Sequence, residues 1–269
     1  MYIADMKRLF LFVLILSLGV FAFSQTTDDD FSSEDAYFLG RAVAANILSS
    51  YKLYNNTELT KYVNEICQAI VINSDYPAPY NGYFVMILDS NEYNAFATPG
   101  GHIFITKKMV ESTSSEDMLA AVIAHELAHV MLNHGVNIIN ETKVENDLSA
   151  VADWASSTAA KQSPEAARAA TFRDSITDYV DVLMKSGYSQ KQEFEADLEA
   201  VVLLARAGYD PGALKDMLKV LQSAQGSAKG GFYSTHPSPE QRIANVDVLK
   251  FNKNNTLQYR AQRFKDNKF

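Results

Sequence analysis

The sequence predicts an α+β, mainly helical domain with a small sheet, antiparallel or mixed, and three observations predict it. Apolar residues recur at three- and four-residue steps through much of the chain, as in helices that bury one face. Two short runs rich in β-forming residues, 83–88 and 102–106, break that period. After them comes His125-Glu126-Leu127-Ala128-His129, an HExxH pattern inside an apolar, helical stretch. Residues four apart share a helix face, so both imidazoles can reach one Zn²⁺ while Glu126 stands beside the attacking water. This is the layout of a hydrolase.

At 269 residues, 47% hydrophobic and 21% charged, the chain can bury a core in one domain, or in one domain with a sizeable insertion. Lys7 and Arg8 precede an apolar run over 9–23, and Ala22-Phe23-Ser24 offers small residues where signal-peptide cleavage needs them. We expect residues 1–24 to be a cleaved leader directing export to the periplasm or cell envelope. The competing reading is an uncleaved anchor, for which a 15-residue run is short of the roughly 20 a bilayer requires. No cysteine stands at the cut, which argues against a lipoprotein. Cys67 is the only thiol, so no intramolecular disulfide can form. Removing 1–24 takes away Lys7, Arg8 and Asp5, moving the net charge from −8 to −9, a balance that disfavours nucleic acid. The composition admits peripheral membrane association and sets no oligomeric state.

Residues 25–31 read as a polar, flexible lead-in. One domain is expected over 32–250. It opens with two helices divided near Tyr54-Asn55-Asn56, the second carrying Leu59, Tyr62, Val63, Ile66 and Ile70 on one stripe. Thr98-Pro99-Gly100-Gly101 is a turn feeding the second strand. Ser114 or Ser115 caps the HExxH helix, Glu116 and Asp117 place negative charge in its first turn, and Gly135 stops it after His134. Residues 135–190 read as a helical insertion able to act as a lid, with helices over 147–160 and 164–186 and a stop at Gly187. Ser189 and Gln192 form a capping box for a helix running to Ala207, Asp210-Pro211 starts another, and 225–233 is Gly/Ser-rich. Ser238 and Gln241 cap a last helix, and 251–269 reads as a polar tail.

A catalytic zinc takes three protein ligands and leaves a fourth position open. Glu193-Phe194-Glu195-Ala196-Asp197 supplies the third on a capped helix. Glu193 and Asp197 share a face, so Glu193 can ligate while Asp197 bonds the far nitrogen of a ligand histidine and fixes its tautomer. Glu195 lies about 200° round the helix and points away. His102, on its strand, and His134, rotated about 140° from His129 on a continuous helix, are not expected to ligate.

HExxH followed by ExxxD, preceded by Asn94-Ala95-Phe96-Ala97-Thr98-Pro99-Gly100-Gly101-His102-Ile103 and followed by Thr235-His236-Pro237-Ser238-Pro239-Glu240-Gln241-Arg242-Ile243, resembles peptidase family forty-eight of the metallopeptidases. This gluzincin group contains HtpX and the CAAX prenyl proteases. The resemblance implies a zinc endopeptidase with one Zn²⁺ per chain, ligands His125, His129 and Glu193, Glu126 as base, and two helices crossing at the metal beside a small sheet. After Phe23 no apolar run approaches about 20 residues, so the chain looks like the soluble, periplasmic single-domain members.

The resemblance also places the His-Pro motif at the cleft. His236 is then either the oxyanion donor or a fourth ligand that holds the enzyme latent, the Gly-rich segment letting it swing; the plain alternative is a histidine capping the last helix. Arg242 pairs with an acid near the site or lies on the surface. Residues 101–105 are expected as an edge strand beside the cleft, carrying Gly100, Gly101, His102 and Ile103, with Asn94 and Ala95 lining it for an extended peptide. The expected function is cleavage of unfolded or misfolded envelope proteins. Its competitors are a binding protein that holds such chains without cutting, and a zinc hydrolase of some non-peptide amide.

Overall fold

The computed structural model describes residues 32–76, 78–141, 165–224, 235–247, 249 and 258–268. The leader, the lead-in, the helix expected over 147–160 and the Gly/Ser-rich stretch 225–233 lie outside the described residues.

Two helices open the unit, α1 (Ser33–Ser50) and α2 (Thr57–Val71), divided where the sequence predicts. Asn56 caps α2 by accepting from the Leu59 N–H at 3.0 Å, and the stripe Leu59, Tyr62, Val63, Ile66, Cys67 and Ile70 is buried. α1 crosses the short 3₁₀ turn Pro99–Gly101 so closely that a Cβ on Gly40 would sit 1.7 Å from the Pro99 carbonyl oxygen. Only glycine permits that approach.

Three strands form the sheet: β1 (Phe84–Leu88), β2 (Ala95–Ala97) and β3 (His102–Thr106), in the order β1-β3-β2. β1 runs parallel to β3 and β2 antiparallel to it, so the sheet is mixed. The third strand, β2, has only three residues, too few for alternation to announce it. Its presence corrects the expected edge: β3 is hydrogen-bonded on both sides and cannot accept another strand, so Gly101, His102 and Ile103 are not at an open edge. Gly100 belongs to the turn, packed against Tyr37 of α1.

The short helix α3 (Lys107–Ser112) leads to α4 (Glu116–Met131), which holds the HExxH pattern. Ser115 caps α4 by accepting from the Met118 N–H at 3.2 Å. Every residue from Glu116 to His129 is buried, so α4 is the central rod of the domain rather than an amphipathic face helix. It ends earlier than the sequence suggests: Leu132 is its C-cap and Asn133 takes the left-handed conformation at φ 55°. Gly135 therefore lies inside the next helix, α5 (His134–Glu141), instead of stopping α4.

α6 (Glu165–Lys185) packs on α1 through a stripe that includes the buried Ile176, Tyr179 and Leu183, and stops at Gly187, φ 67°. α7 (Gln190–Arg206) begins with the expected Ser189/Gln192 capping box. It packs along α4, where alanines on both helices (Ala120, Ala124 and Ala128; Ala196 and Ala200) are buried and keep the rods close. α8 (Ala213–Ala224) and α9 (Pro239–Val246, opened by the Ser238/Gln241 capping box) complete that side. Residues Gln258–Asn267 form α10, docked on α2 and α4 through the buried Arg260 and Phe264. That part of the expected polar tail is thus a packed helix.

Candidate active site

α4 and α7 bring His125, His129 and Glu193 together, with one ligating atom from each lying within 4.8 Å of the others. Nε2 of His125 and Nε2 of His129 are 3.1 Å apart, and Glu193 faces them at 3.5 Å and 3.4 Å through Oε2 and Oε1 respectively. All three side chains are buried.

The donor set suits a metal. Oε1 of Glu193 is buried with no hydrogen-bond partner, facing Nε2 of His129 at 3.4 Å, while Oε2 faces Nε2 of His125 at 3.5 Å. Burial pushes the His129 pKa down to about 3 against the pull of Glu193, which leaves a neutral ring with a lone pair to give. Burial alone would raise Glu193, but the facing His236, His125 and His129 reverse this and hold its carboxyl well below the usual range. A carboxylate and two imidazoles of this kind are the gluzincin-type ligand set expected for zinc.

Asp197 stands one turn beyond Glu193 and reaches Nδ1 of His125 at 3.1 Å. Burial opposes its ionisation, yet Arg242 and His125 lower its pKa. Arg242, given no fixed place by the sequence, is buried on α9 and donates to Asp197 from Nε at 2.9 Å and Nη2 at 2.6 Å. It pairs with an acid at the site and does not lie on the surface.

Glu126 turns into the same space. Its Oε2 is buried without a hydrogen-bond partner, and burial raises its pKa to about 7. A small cavity of about 10 Å³ is lined by Asn94, Ala95, Phe96, Glu126, Tyr188 and His236, among others. Leu183, Met184 and Gly187 line it too, so the end of α6 and its turn lie over the acid.

His236 comes in from the opposite side, its side chain only 6% exposed, with Nδ1 2.7 Å from Oε2 of Glu193. It does not cap the last helix: Ser238 does. Gly187 makes this approach fit, since a Cβ there would meet the Thr235 carbonyl oxygen at 1.8 Å.

β2, not 101–105, is the outer strand on this side of the sheet. The bonds Thr98 N–H to His102 O at 2.8 Å and Thr106 N–H to Asn94 O at 3.0 Å set the register. Ala95 and Ala97 then occupy the alternate, non-hydrogen-bonded positions, opposite Ile105 and Ile103, with their backbone groups directed away from β3. Asn94 and Ala95 line the cavity beside Glu126; Gly101, His102 and Ile103 do not.

Two contacts were not foreseen. Tyr188 stacks on the His129 ring, with centroids 4.0 Å apart and planes at 14°, and donates its hydroxyl to the Ala97 carbonyl at 3.3 Å. His134 lies with Nδ1 2.9 Å from Nδ1 of His129. The continuous-helix geometry that turned it away fails because α4 has already ended and Asn133 swings the chain back. His102 is remote from the cluster, its ring beside Tyr37 and Phe84.

Comparison with known proteins agrees with this geometry. The model of peptidase family M48 matches residues 57–250. The chain is 28% identical over 211 residues to the beta-barrel assembly-enhancing protease of Escherichia coli, covering 77% of this chain and 42% of that protein. It is 30% identical over 210 residues to the putative beta-barrel assembly-enhancing protease of Vibrio cholerae, covering 76% and 42%. With the mitochondrial metalloendopeptidase OMA1 of Schizosaccharomyces pombe it shares 30% identity over 160 residues, covering 57% and 42%. The chain thus spans about two fifths of the length of these curated relatives.

Proposed function

The chain belongs to peptidase family M48, and on that premise we propose that it is a zinc-dependent endopeptidase of the cell envelope that hydrolyses unfolded or misfolded proteins. The observation that carries this reading is Glu126: a buried carboxylate with a partner-free oxygen, beside a His/His/Glu cluster and the outer strand β2. A protein that only held its clients would need no such base.

His125, His129 and Glu193 would hold the zinc. Bound there, Zn²⁺ acidifies water and polarises a carbonyl as a Lewis acid. Glu126 would take the proton from the attacking water and return it to the leaving amine, a task suited to a buried carboxyl whose Oε2 has no other hydrogen-bond partner. Asp197, gripped by Arg242, keeps the proton of His125 on Nδ1 and so leaves Nε2 free to ligate. An extended peptide would pair with the outward backbone groups of Ala95, and with those of Ala97 once the Tyr188 hydroxyl leaves the Ala97 carbonyl, bonds that carry little sequence preference and suit unfolded chains.

The leader-like pattern of residues 1–24 and the names of the beta-barrel assembly-enhancing relatives support the envelope assignment. No helix among the described residues is long and apolar enough to cross a membrane. The test is metal analysis and casein cleavage by the chain lacking residues 1–24. One zinc per chain and cleavage lost to a chelator and restored by Zn²⁺ support the reading; cleavage indifferent to the chelator refutes it.

The contact of His236 with Glu193 favours a second element, a latched resting state. The turn after α6 covers the same cavity, consistent with a lid. If His236 is a latch, His236→Ala speeds casein cleavage; if it is the oxyanion donor, the same change slows it.

A further inference from the structure

The two proposed histidine ligands are supported differently. His125 has the Asp197 carboxylate on its Nδ1. On the corresponding nitrogen of His129 stands a third histidine, His134, at 2.9 Å. We infer that His134 is the positioning residue of His129, forming with Glu195 a relay that fixes the tautomer and plane of that ring; this rests on the zinc-site reading above.

The proton positions follow from the geometry. Nε2 of His129 faces Nε2 of His125 at 3.1 Å and Oε1 of Glu193 at 3.4 Å, so this is its ligating nitrogen. The proton of a neutral His129 is then on Nδ1, which donates to Nδ1 of His134. A nitrogen that accepts carries no proton, so His134 bears its own on Nε2. That nitrogen points at Oε2 of Glu195, 3.5 Å away. Glu195 is 45% exposed and has the Lys191 ammonium at 3.6 Å, so the relay runs outward from the metal cluster to a solvated ion pair.

The local fold is arranged for this contact. α4 stops at Met131, two residues after His129, and Asn133 adopts φ 55°, a conformation that asparagine tolerates better than most residues. The resulting turn returns His134 to the ligand it has just passed. Tyr188 lies flat on the other surface available to the ring, 4.0 Å away, and its own ring is 5.9 Å from His134. His129 is thus held by a hydrogen bond in its plane and a stack on its face.

Partners of this kind are worth about 10- to 100-fold in metal affinity. In the chain lacking residues 1–24, zinc affinity is measured by competition with a chromophoric chelator, and ligand geometry by the visible spectrum of the Co²⁺ form. His134→Phe keeps much of the volume but removes the acceptor, and is expected to weaken zinc by about 10- to 100-fold and alter the Co²⁺ bands. His134→Gln restores an acceptor and recovers most of the loss. Glu195→Gln, at an exposed position, weakens zinc severalfold. Wild-type affinity in His134→Phe, or a loss that His134→Gln fails to relieve, overturns the relay. If His134→Phe does not fold, Glu195→Gln decides alone: weakened zinc supports the relay, and wild-type affinity overturns it. A wild-type chain that binds no zinc would instead refute the zinc-site reading.

Discussion

Arg242 holds Asp197 with two charge-assisted hydrogen bonds, 2.9 Å from Nε and 2.6 Å from Nη2, while Asp197 reaches Nδ1 of His125. The last capped helix, α9, is thereby tied to the proposed metal ligand on α4 through an acid on α7. Removing one partner of a buried ion pair strands the other, at a cost of about 3–5 kcal/mol. Arg242→Ala should lower unfolding free energy by that amount in urea titrations and release zinc more readily. Arg242→Lys should not rescue it fully, because an ammonium cannot reproduce the two-pronged grip.

Glu126 sets a pH dependence of opposite sign to that of a paired acid. Its folded pKa is raised from 4.5 to about 7, so the folded state binds the proton more tightly than the unfolded one. The resulting destabilisation is absent below about pH 4.5, grows between there and pH 7, and is full above it, on the order of 3 kcal/mol. In chelator-treated protein, Glu126→Gln should therefore melt higher than wild type at pH 8 and about equally at pH 4.5. Equal melting at both would contradict the buried, partner-free carboxylate.

Because proton abstraction needs the carboxylate, casein cleavage should fall on acidification, with a limb below the metal-free value of about 7 because zinc's positive charge favours the carboxylate. A rate that rises on acidification would exclude Glu126 as the base.

Cys67 is fully buried in α2, and burial pushes its thiol up to about 12. Thiol reagents at pH 8 should leave it unlabelled in the folded protein and label it in denaturant. Labelling at equal rates would show that α2 does not pack on the core as described.

Glu116, at the first turn of α4, accepts from Tyr62 at 2.8 Å, from Tyr209 at 3.2 Å and from Nε of Arg263 at 2.8 Å. Arg263 belongs to α10, so this helix clamps the start of the rod that bears the HExxH pattern. Arg263→Ala should cost about 1.5–3 kcal/mol in urea titrations, the usual range for a hydrogen bond to a charged group.

Local rules carried much of the site. Ser189/Gln192 and Ser238/Gln241 are capping boxes that act within four residues, and both form. The i, i+4 spacing likewise put His125 with His129, and Glu193 with Asp197, on common faces. What could not be read depends on contacts between distant segments. β2 exists because β3 gives it a partner, not because three residues announce a strand. Arg242 meets Asp197, and Tyr188 meets His129, only after several elements have packed. His134 was misplaced by a single local event, the left-handed turn at Asn133, which an assumed longer helix concealed. An asparagine directly before His134 was the available signal.

The central claim is that Glu126 performs chemistry at a zinc held by His125, His129 and Glu193. The most direct measurement is zinc content and casein cleavage for the chain lacking residues 1–24, comparing Glu126 with Glu126→Gln in wild-type and His236→Ala backgrounds. The account predicts one zinc in all four proteins and cleavage only where Glu126 is present. Equal cleavage with and without Glu126 would contradict it.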